Sequence, residues 1–100
     1  MLLVPLHLVT IVAERLLEDR LRGELHALGA CGLTITEARG EGSRGMRASE
    51  WEGANVKVET VVPEAVADRI VAHVAERYFQ HYAVIVYVQE VRVVRGDKYV

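Results

Sequence analysis

A strand–helix–strand pattern that occurs twice within 100 residues constrains the fold of this chain more than any other feature. Residues 6–13 form a short segment rich in Val, Ile, Leu and Thr, which indicates a buried strand. Leucines then recur at helical spacing over residues 14–28, and Gly29 stands where a left-handed helix cap favours glycine. Residues 33–39 alternate between apolar and polar side chains, as a half-exposed strand does.

The second half of the chain repeats this order. Asn55–Val62 alternates again, and Pro63 suits the first turn of a helix whose apolar stripe runs to about Phe79. Residues 82–95 form a long strand rich in Val, Ile and Tyr. The order is that of the split βαβ, or ferredoxin-like, fold. It predicts an α+β protein with a four-stranded antiparallel sheet and both helices on one face.

The sheet face without helices is predicted to be apolar, because residues 83–88 are apolar at every position. Hydrophobic residues make up 51% of the chain, which is high for so small a domain. Burying the bare face against copies of the same chain would remove it from water. We therefore expect an oligomer with its sheets facing inward. The alternative is a monomer with a functional apolar patch, although large exposed patches are uncommon on monomers.

A glycine- and arginine-rich stretch, RGEGSRGMRASEWEG at residues 39–53, separates the two halves. Glycine lets several backbone N–H groups approach one anion, and the guanidinium fork of arginine fits a phosphate. Arg44 and Arg47 are close enough in sequence to converge on one phosphate, although a solvated pair of arginines is the plainer alternative. The G-x-G-x-x-G match at residues 40–45 is not a dinucleotide fingerprint, because it leads to a strand instead of a helix.

Charge and cysteine content exclude several other functions. A formal net charge of −2 gives no general attraction to nucleic acid. Cys31 and the four histidines lack metal-ligand spacing, and Cys31 is expected to be a small buried residue. Trp51 is of a type enriched at interfaces and is assigned to partner binding, with packing over the strand at Val56 as the alternative. We find no signal peptide and expect a cytoplasmic protein.

Three stretches resemble the PII signalling superfamily: GLTITEARGEGSRGMRAS at 32–49, NVKVE at 55–59 and AERYFQHYAVIVYV at 75–88. The resemblance spans residues 6–95 and is closest to PII-like proteins associated with bicarbonate transporters and carboxysome operons. It implies a single domain over residues 1–100 with a long flexible loop at 40–53. It also implies a homotrimer with sheets inward, adenine nucleotide bound between subunits, and a loop that engages a partner.

The resemblance also implies which residues bind the nucleotide. Gly42 and Ser43 match positions that wrap the phosphate at the base of the loop. Arg44 and Arg47 match the two arginines that pair with this phosphate.

At the other end of the ligand, Ala83 and Val84 match a segment whose backbone lies near the adenine. Residues 79–81 replace the glycine- and lysine-rich loop of ATP-binding relatives. AMP, cyclic AMP or ADP is therefore expected in preference to ATP.

These inferences together predict a nucleotide-sensing regulator that needs neither a resident cofactor, a metal nor a catalytic residue. Bicarbonate is a candidate second effector. The partner implied by the resemblance is a membrane bicarbonate transporter or a carboxysome-linked protein, which would recruit the chain to the inner membrane face. Two alternatives are a ferredoxin-like trimer that binds metal, as copper-tolerance proteins do, and a nucleotide-hydrolysing enzyme with Glu41 as its base.

Overall fold

The structure is a computed structural model that describes residues 2–40 and 54–99. Its elements are β1 (Leu3–Glu14), α1 (Glu18–Leu28), β2 (Thr34–Ala38), β3 (Asn55–Val62), α2 (Glu64–Tyr78) and β4 (Ile85–Val94). The four strands form one antiparallel sheet in the order β2-β3-β1-β4. This order of elements confirms the predicted ferredoxin-like α+β fold.

The strand register assigns every residue of the sheet to one of two faces, because directly paired residues point the same way. Val9 of β1 pairs with Thr60 of β3 and with Val88 of β4. Odd-numbered positions of β1 therefore share a face with even-numbered positions of β3 and β4. We call this the helix face and the opposite one the open face.

Both helices pack on the helix face. One cluster of buried side chains joins the sheet to the helices: Val9, Ile11, Ala13, Leu17, Leu21, Leu25, Ala30, Val56, Val58, Val62, Val66, Ala67, Ile70, Val74 and Tyr78. Every strand residue in this cluster belongs to the helix face. The leucine stripe of α1 and the Val/Ile stripe of α2 are thus buried as predicted, and both helices lie on one side of the sheet.

The open face carries apolar side chains that neither helix covers. On β4 it presents Ile85 and Tyr87, whose side chains are 57% and 43% exposed. On β1 the half-buried Leu8 and Val12 belong to this face, whereas Leu6 and Thr10 of the same face are buried in the single chain. The predicted apolar character of the uncovered face is therefore seen in the structure.

The first helix begins later than predicted, because Glu14 ends β1 and Arg15–Leu17 forms a short 3₁₀ turn before Glu18. Its end at Gly29 is as predicted. Gly29 has a φ of 120°, and its N–H donates to the carbonyl of His26 at 3.1 Å. Glycine adopts this left-handed geometry without the steric cost that a Cβ brings.

The last strand also begins later than predicted, at Ile85 instead of residue 82. The N–H of Tyr82 donates to the carbonyl of Tyr78 in a turn that follows α2, at 3.0 Å. The N–H of Ala83 donates to the side chain of Glu14 and not to a strand backbone. Pairing with β1 is therefore established only from Ile85 onward.

The predicted burial of Cys31 is wrong, since its side chain is exposed in the connection between α1 and β2. Ala30 occupies the core position of this connection at 5% exposure. The carbonyl of Gly32 accepts a hydrogen bond from the hydroxyl of Thr60 at 2.7 Å. With both neighbours held against the protein, Cys31 is left on the outside.

Within residues 2–40 and 54–99, no helix is long and apolar enough to cross a membrane.

Candidate functional site

Three strands end side by side where the chain enters and leaves the segment 41–53. Ala38 of β2 pairs with Asn55 of β3, and Asn55 pairs with Glu14 of β1. Just beyond β1, the N–H of Arg15 donates to the carbonyl of Ala54 at 3.4 Å. The base of the glycine- and arginine-rich segment is thereby attached to the end of the central strand.

Most of the residues predicted to bind ligand or partner lie in that segment. Gly42, Ser43, Arg44, Arg47 and Trp51 are outside the described residues. Their roles remain predictions.

Ala83 and Val84 lie at the same end of the sheet as the base of this segment. The exposed Ala83 donates its N–H to Oε2 of Glu14, with a nitrogen–oxygen distance of 3.1 Å. Val84 is half-buried and packs against the core cluster. Since Ile85 pairs with Val12, the chain reaches β4 beside the last residues of β1. Two of the six predicted nucleotide-binding residues therefore stand next to the base of the segment that holds the other four.

Glu14 also lies at this end of the sheet, where it holds Ala83. The sequence pattern does not single it out, because it stands at the predicted start of the first helix as a polar residue off the leucine stripe. The contact joins Glu14 to a residue 69 positions further along the chain, which no local periodicity reports. The sequence does contain one signal that could have identified Glu14. It is an acidic side chain directly after a predicted buried strand, and functional groups commonly lie where strands end.

A polar network between the helices fixes the turn that leads to Ala83. Oε1 of Glu24 accepts hydrogen bonds from the hydroxyl of Tyr78 at 2.6 Å and from Nε2 of His73 at 2.9 Å. The guanidinium of Arg20 lies 5.1 Å from the ring centroid of Tyr78, within the range of a cation–π contact. The ring of Tyr82 lies 5.8 Å from that of Tyr78. Tyr78 before the turn is thus held by α1, and Tyr82 after the turn packs against Tyr78.

The pKa values of Glu24 and Tyr78 are shifted in the directions that favour the hydrogen bond between them. Burial alone would raise the pKa of Glu24, but hydrogen bonds from Tyr78 and His73 outweigh it and hold that pKa below its usual value. Burial and the hydrogen bond to Glu24 raise the pKa of Tyr78 to about 12. At neutral pH Tyr78 is therefore a proton donor and Glu24 an ionised acceptor.

The described part of the chain holds no group of three or more His, Cys, Asp or Glu side chains placed to bind a metal ion. His73 is engaged by Glu24, and Nδ1 of His26 lies 2.9 Å from the carbonyl oxygen of Ala30. These two histidines therefore have structural partners.

The fold is ferredoxin-like, and its long β2–β3 connection has its base beside the segment that enters β4. A sequence model described as nitrogen regulatory protein P-II matches residues 6–98. The chain belongs to this family of signalling regulators.

Solved structures resemble the chain over nearly its full length. A putative PII-like signalling protein from Thermus thermophilus is 64% identical, with a TM-score of 0.88 and complete coverage of both chains. The PII-like protein CPII from Thiomonas intermedia, solved with ADP and bicarbonate, is 26% identical, with a TM-score of 0.85 over 98% of this chain and 97% of its own. CPII solved with ADP, AMP and acetate aligns with 22% identity and a TM-score of 0.83, covering 99% of this chain and 98% of that one, and shows the shared fold.

Proposed function

We propose that the chain is a PII-like regulator that binds an adenine nucleotide at the end of the sheet where residues 40–53 begin and end. The observation that carries this function is the meeting of Ala54, Glu14 and Ala83 at that end. A ligand placed there would contact the residues before β4 and the base of the loop at once. The binding of ADP and bicarbonate by CPII supports this choice of ligand.

In this proposal the two ends of the nucleotide are held by different segments. Arg44 and Arg47 pair with the phosphate, and Gly42 and Ser43 wrap it through their backbone. The backbone at residues 83–84 lies along the adenine.

AMP, cyclic AMP or ADP is proposed as the ligand in preference to ATP. The N–H groups of His81 and Tyr82 both donate to the carbonyl of Tyr78, and the N–H of Ala83 donates to Glu14. These N–H groups are engaged within the protein, so residues 81–83 offer no free backbone donors in place of the glycine- and lysine-rich loop of ATP-binding relatives. Lysine is also absent from residues 79–84.

The assembly in this proposal is a homotrimer with the open faces turned inward. Ile85 and Tyr87 are more than two-fifths exposed in the single chain. Their burial would contribute roughly 25 cal/mol for each Å² of apolar surface removed from water. A trimer would also place the nucleotide in a cleft between neighbouring subunits.

The downstream role rests on the family resemblance. Bicarbonate would act as a second effector, and Trp51 with its loop would contact a membrane bicarbonate transporter or a carboxysome-linked protein. The regulator would then work in the cytoplasm, at the inner membrane face when its partner recruits it. An effector shifts such a loop only by binding one of its states more tightly than the other.

Calorimetric titration with AMP, cyclic AMP, ADP and ATP, with and without bicarbonate, tests the proposed ligand. Arg44→Ala or Arg47→Ala should weaken the binding of each phosphate-bearing ligand by roughly 1.5 to 3 kcal/mol, the range for hydrogen bonds to charged groups. Arg22→Ala on the surface of α1 is the matched control and should bind as the parent does. Equal affinity of the parent protein for adenosine and AMP would contradict the proposed role of the arginines.

The same incubations test whether the protein is a sensor or an enzyme. A sensor should leave ADP and ATP intact during the titration. Steady release of phosphate that is lost in Glu41→Gln would replace the proposed function with hydrolysis.

A further inference from the structure

We propose that Glu14 is the residue that reads the base of the bound nucleotide, by accepting a hydrogen bond from the exocyclic N6 amino group of adenine. This assignment rests on the proposed function, because it needs the adenine to lie along residues 83–84. In the proposed function the base is contacted by backbone alone. The Glu14 side chain would add a contact that favours adenine over guanine.

The carboxylate of Glu14 lies beside the residues that enter β4. Oε2 of Glu14 is held by the N–H of Ala83 at 3.1 Å, so the group is fixed beside the backbone proposed to contact the base. The two oxygens of a carboxylate share one small planar group, so Oε1 must also lie close to Ala83. Ala83 itself is exposed, which leaves this place open to a ligand.

The side chain of Glu14 has unused hydrogen-bonding capacity. Among the described residues, Ala83 is the one hydrogen-bond partner of the Glu14 side chain, and no salt bridge engages it. An ionised carboxylate accepts hydrogen bonds at both oxygens and donates none. Glu14 therefore has an oxygen free to accept a bond from an amino group of a ligand.

The charge of Glu14 favours the base of the nucleotide, and not its phosphate, at this position. A carboxylate repels a phosphate and attracts an amino group, so the phosphate belongs on the arginine-rich side of the site. Acidic side chains accept hydrogen bonds from exocyclic base amino groups in the same way when proteins read cytosine in DNA. Adenine presents an amino group at position 6, whereas guanine presents a carbonyl oxygen there, which a carboxylate would repel.

A titration with two ligands that differ by one amino group tests the assignment. The probes are ADP and purine riboside 5′-diphosphate, which is ADP without its N6 amino group. The parent protein should bind ADP at least roughly tenfold more tightly, as expected for one hydrogen bond to a charged group. In Glu14→Gln one oxygen of the carboxylate becomes an NH2 group, which donates and cannot accept. With the remaining oxygen held by the N–H of Ala83, the group that faces the base can no longer accept from N6, so the two ligands should bind with nearly equal affinity.

Glu18→Gln is the matched control, since it removes a negative charge four positions away, at the first residue of α1. It should keep the tenfold preference for ADP, which separates base reading from a general change in charge. Thermal unfolding of each variant checks that the fold is retained. If Glu14→Gln does not fold, equal binding of the two ligands by the parent protein still overturns the assignment.

Two results would overturn the assignment while leaving the proposed function standing. One is a parent protein that binds the two ligands equally well. The other is a folded Glu14→Gln variant that keeps the full preference for ADP, as it would if Glu14 only braced the turn before β4. Failure of the parent protein to bind ADP at all would instead remove the proposed function, and the role of Glu14 with it.

Discussion

Glu24 joins the two helices through a carboxylate that two donors of α2 share, Tyr78 and His73. A charged acceptor strengthens these hydrogen bonds relative to neutral ones. The cation of Arg20 lies over the ring of Tyr78 on the same side of the protein. Interactions between four side chains thus hold the end of α2, from which the chain turns toward Ala83.

This network predicts how stability changes in acid. The pKa of Glu24 is lower in the folded protein than its ordinary value of 4.5, so the unfolded chain binds the proton more readily. The stabilisation is therefore present above about pH 4.5 and is lost as the pH falls through the lower pKa of the folded state. Urea unfolding across the acidic range, from neutral pH to below the pKa of the folded state, should show a steeper loss of stability in the parent than in Glu24→Gln.

Glu76→Gln is the control for that measurement, because Glu76 is an exposed carboxylate on α2. Its stability should follow the parent curve across this pH range. A Glu24→Gln variant with the same pH dependence as the parent would mean that the network does not depend on the charge of Glu24.

The sequence could predict the roles of residues that depend on their neighbours along the chain. The place of Gly29 after a leucine stripe predicts a helix cap, and the structure confirms it. The contacts of Glu14 with Ala83 and of Glu24 with Tyr78 join residues 69 and 54 positions apart, so no local pattern contains them. The exposure of Cys31 escapes prediction for the same reason, since it depends on how its neighbours are anchored.

At the scale of elements, glycines on and after α1 allow a paired test of helix geometry. Gly29→Ala should destabilise the fold by about 1–2 kcal/mol, because a φ of 120° is strained for a residue with a Cβ. The new Cβ would also lie 3.2 Å from a methyl group of Val66. Gly23→Ala within the helix should instead stabilise by about 0.5–1 kcal/mol, since its Cβ would meet nothing within 4 Å.

Urea unfolding of the two variants beside the parent measures both effects. The shifts should have opposite signs. A stabilising Gly29→Ala would contradict the left-handed geometry at the end of α1, and a destabilising Gly23→Ala would contradict the open surroundings of that position.

Whether an element exists could be predicted better than where it begins. Apolar spacing identifies both helices because that spacing is what packs against the sheet. The predicted start of α1 is too early, since a 3₁₀ turn at Arg15–Leu17 continues the apolar stripe without α-helical geometry. The predicted start of β4 is also too early, since Tyr82 and Ala83 have strand-like residue types but use their N–H groups elsewhere.

For the whole molecule, the proposed trimer can be tested through the open face. Tyr87→Glu would place a charge on the apolar surface that the assembly is proposed to bury, and burying an unpaired charge is costly. Light scattering should give the parent the mass of three 11.2 kDa chains and give Tyr87→Glu a lower mass.

Val88→Glu is the matched control, because Val88 is the next residue, is 39% exposed and lies on the helix face. It should keep the mass of the parent. A parent protein with the mass of a single chain would contradict the proposed assembly.

The apolar character of the open face could be predicted from the sequence. Successive residues of β4 lie on opposite faces, and residues 83–88 are apolar at every position. What covers that face could not be predicted, because contacts between subunits leave no local pattern in the sequence of one chain. Gly42, Ser43, Arg44 and Arg47 lie outside the described residues, and their assignment to the phosphate stays a prediction from the family resemblance.

The position of β1 has a consequence for how the protein acquires its structure. It is the first strand in the chain, yet its neighbours in the sheet are the third and fourth, and Leu3 pairs with Val94. Bringing such distant strands together costs loop-closure entropy before their pairing contributes any stability. This cost slows folding. Until then the apolar β1 strand is unprotected, so nascent or refolding chains should be most prone to aggregate through it.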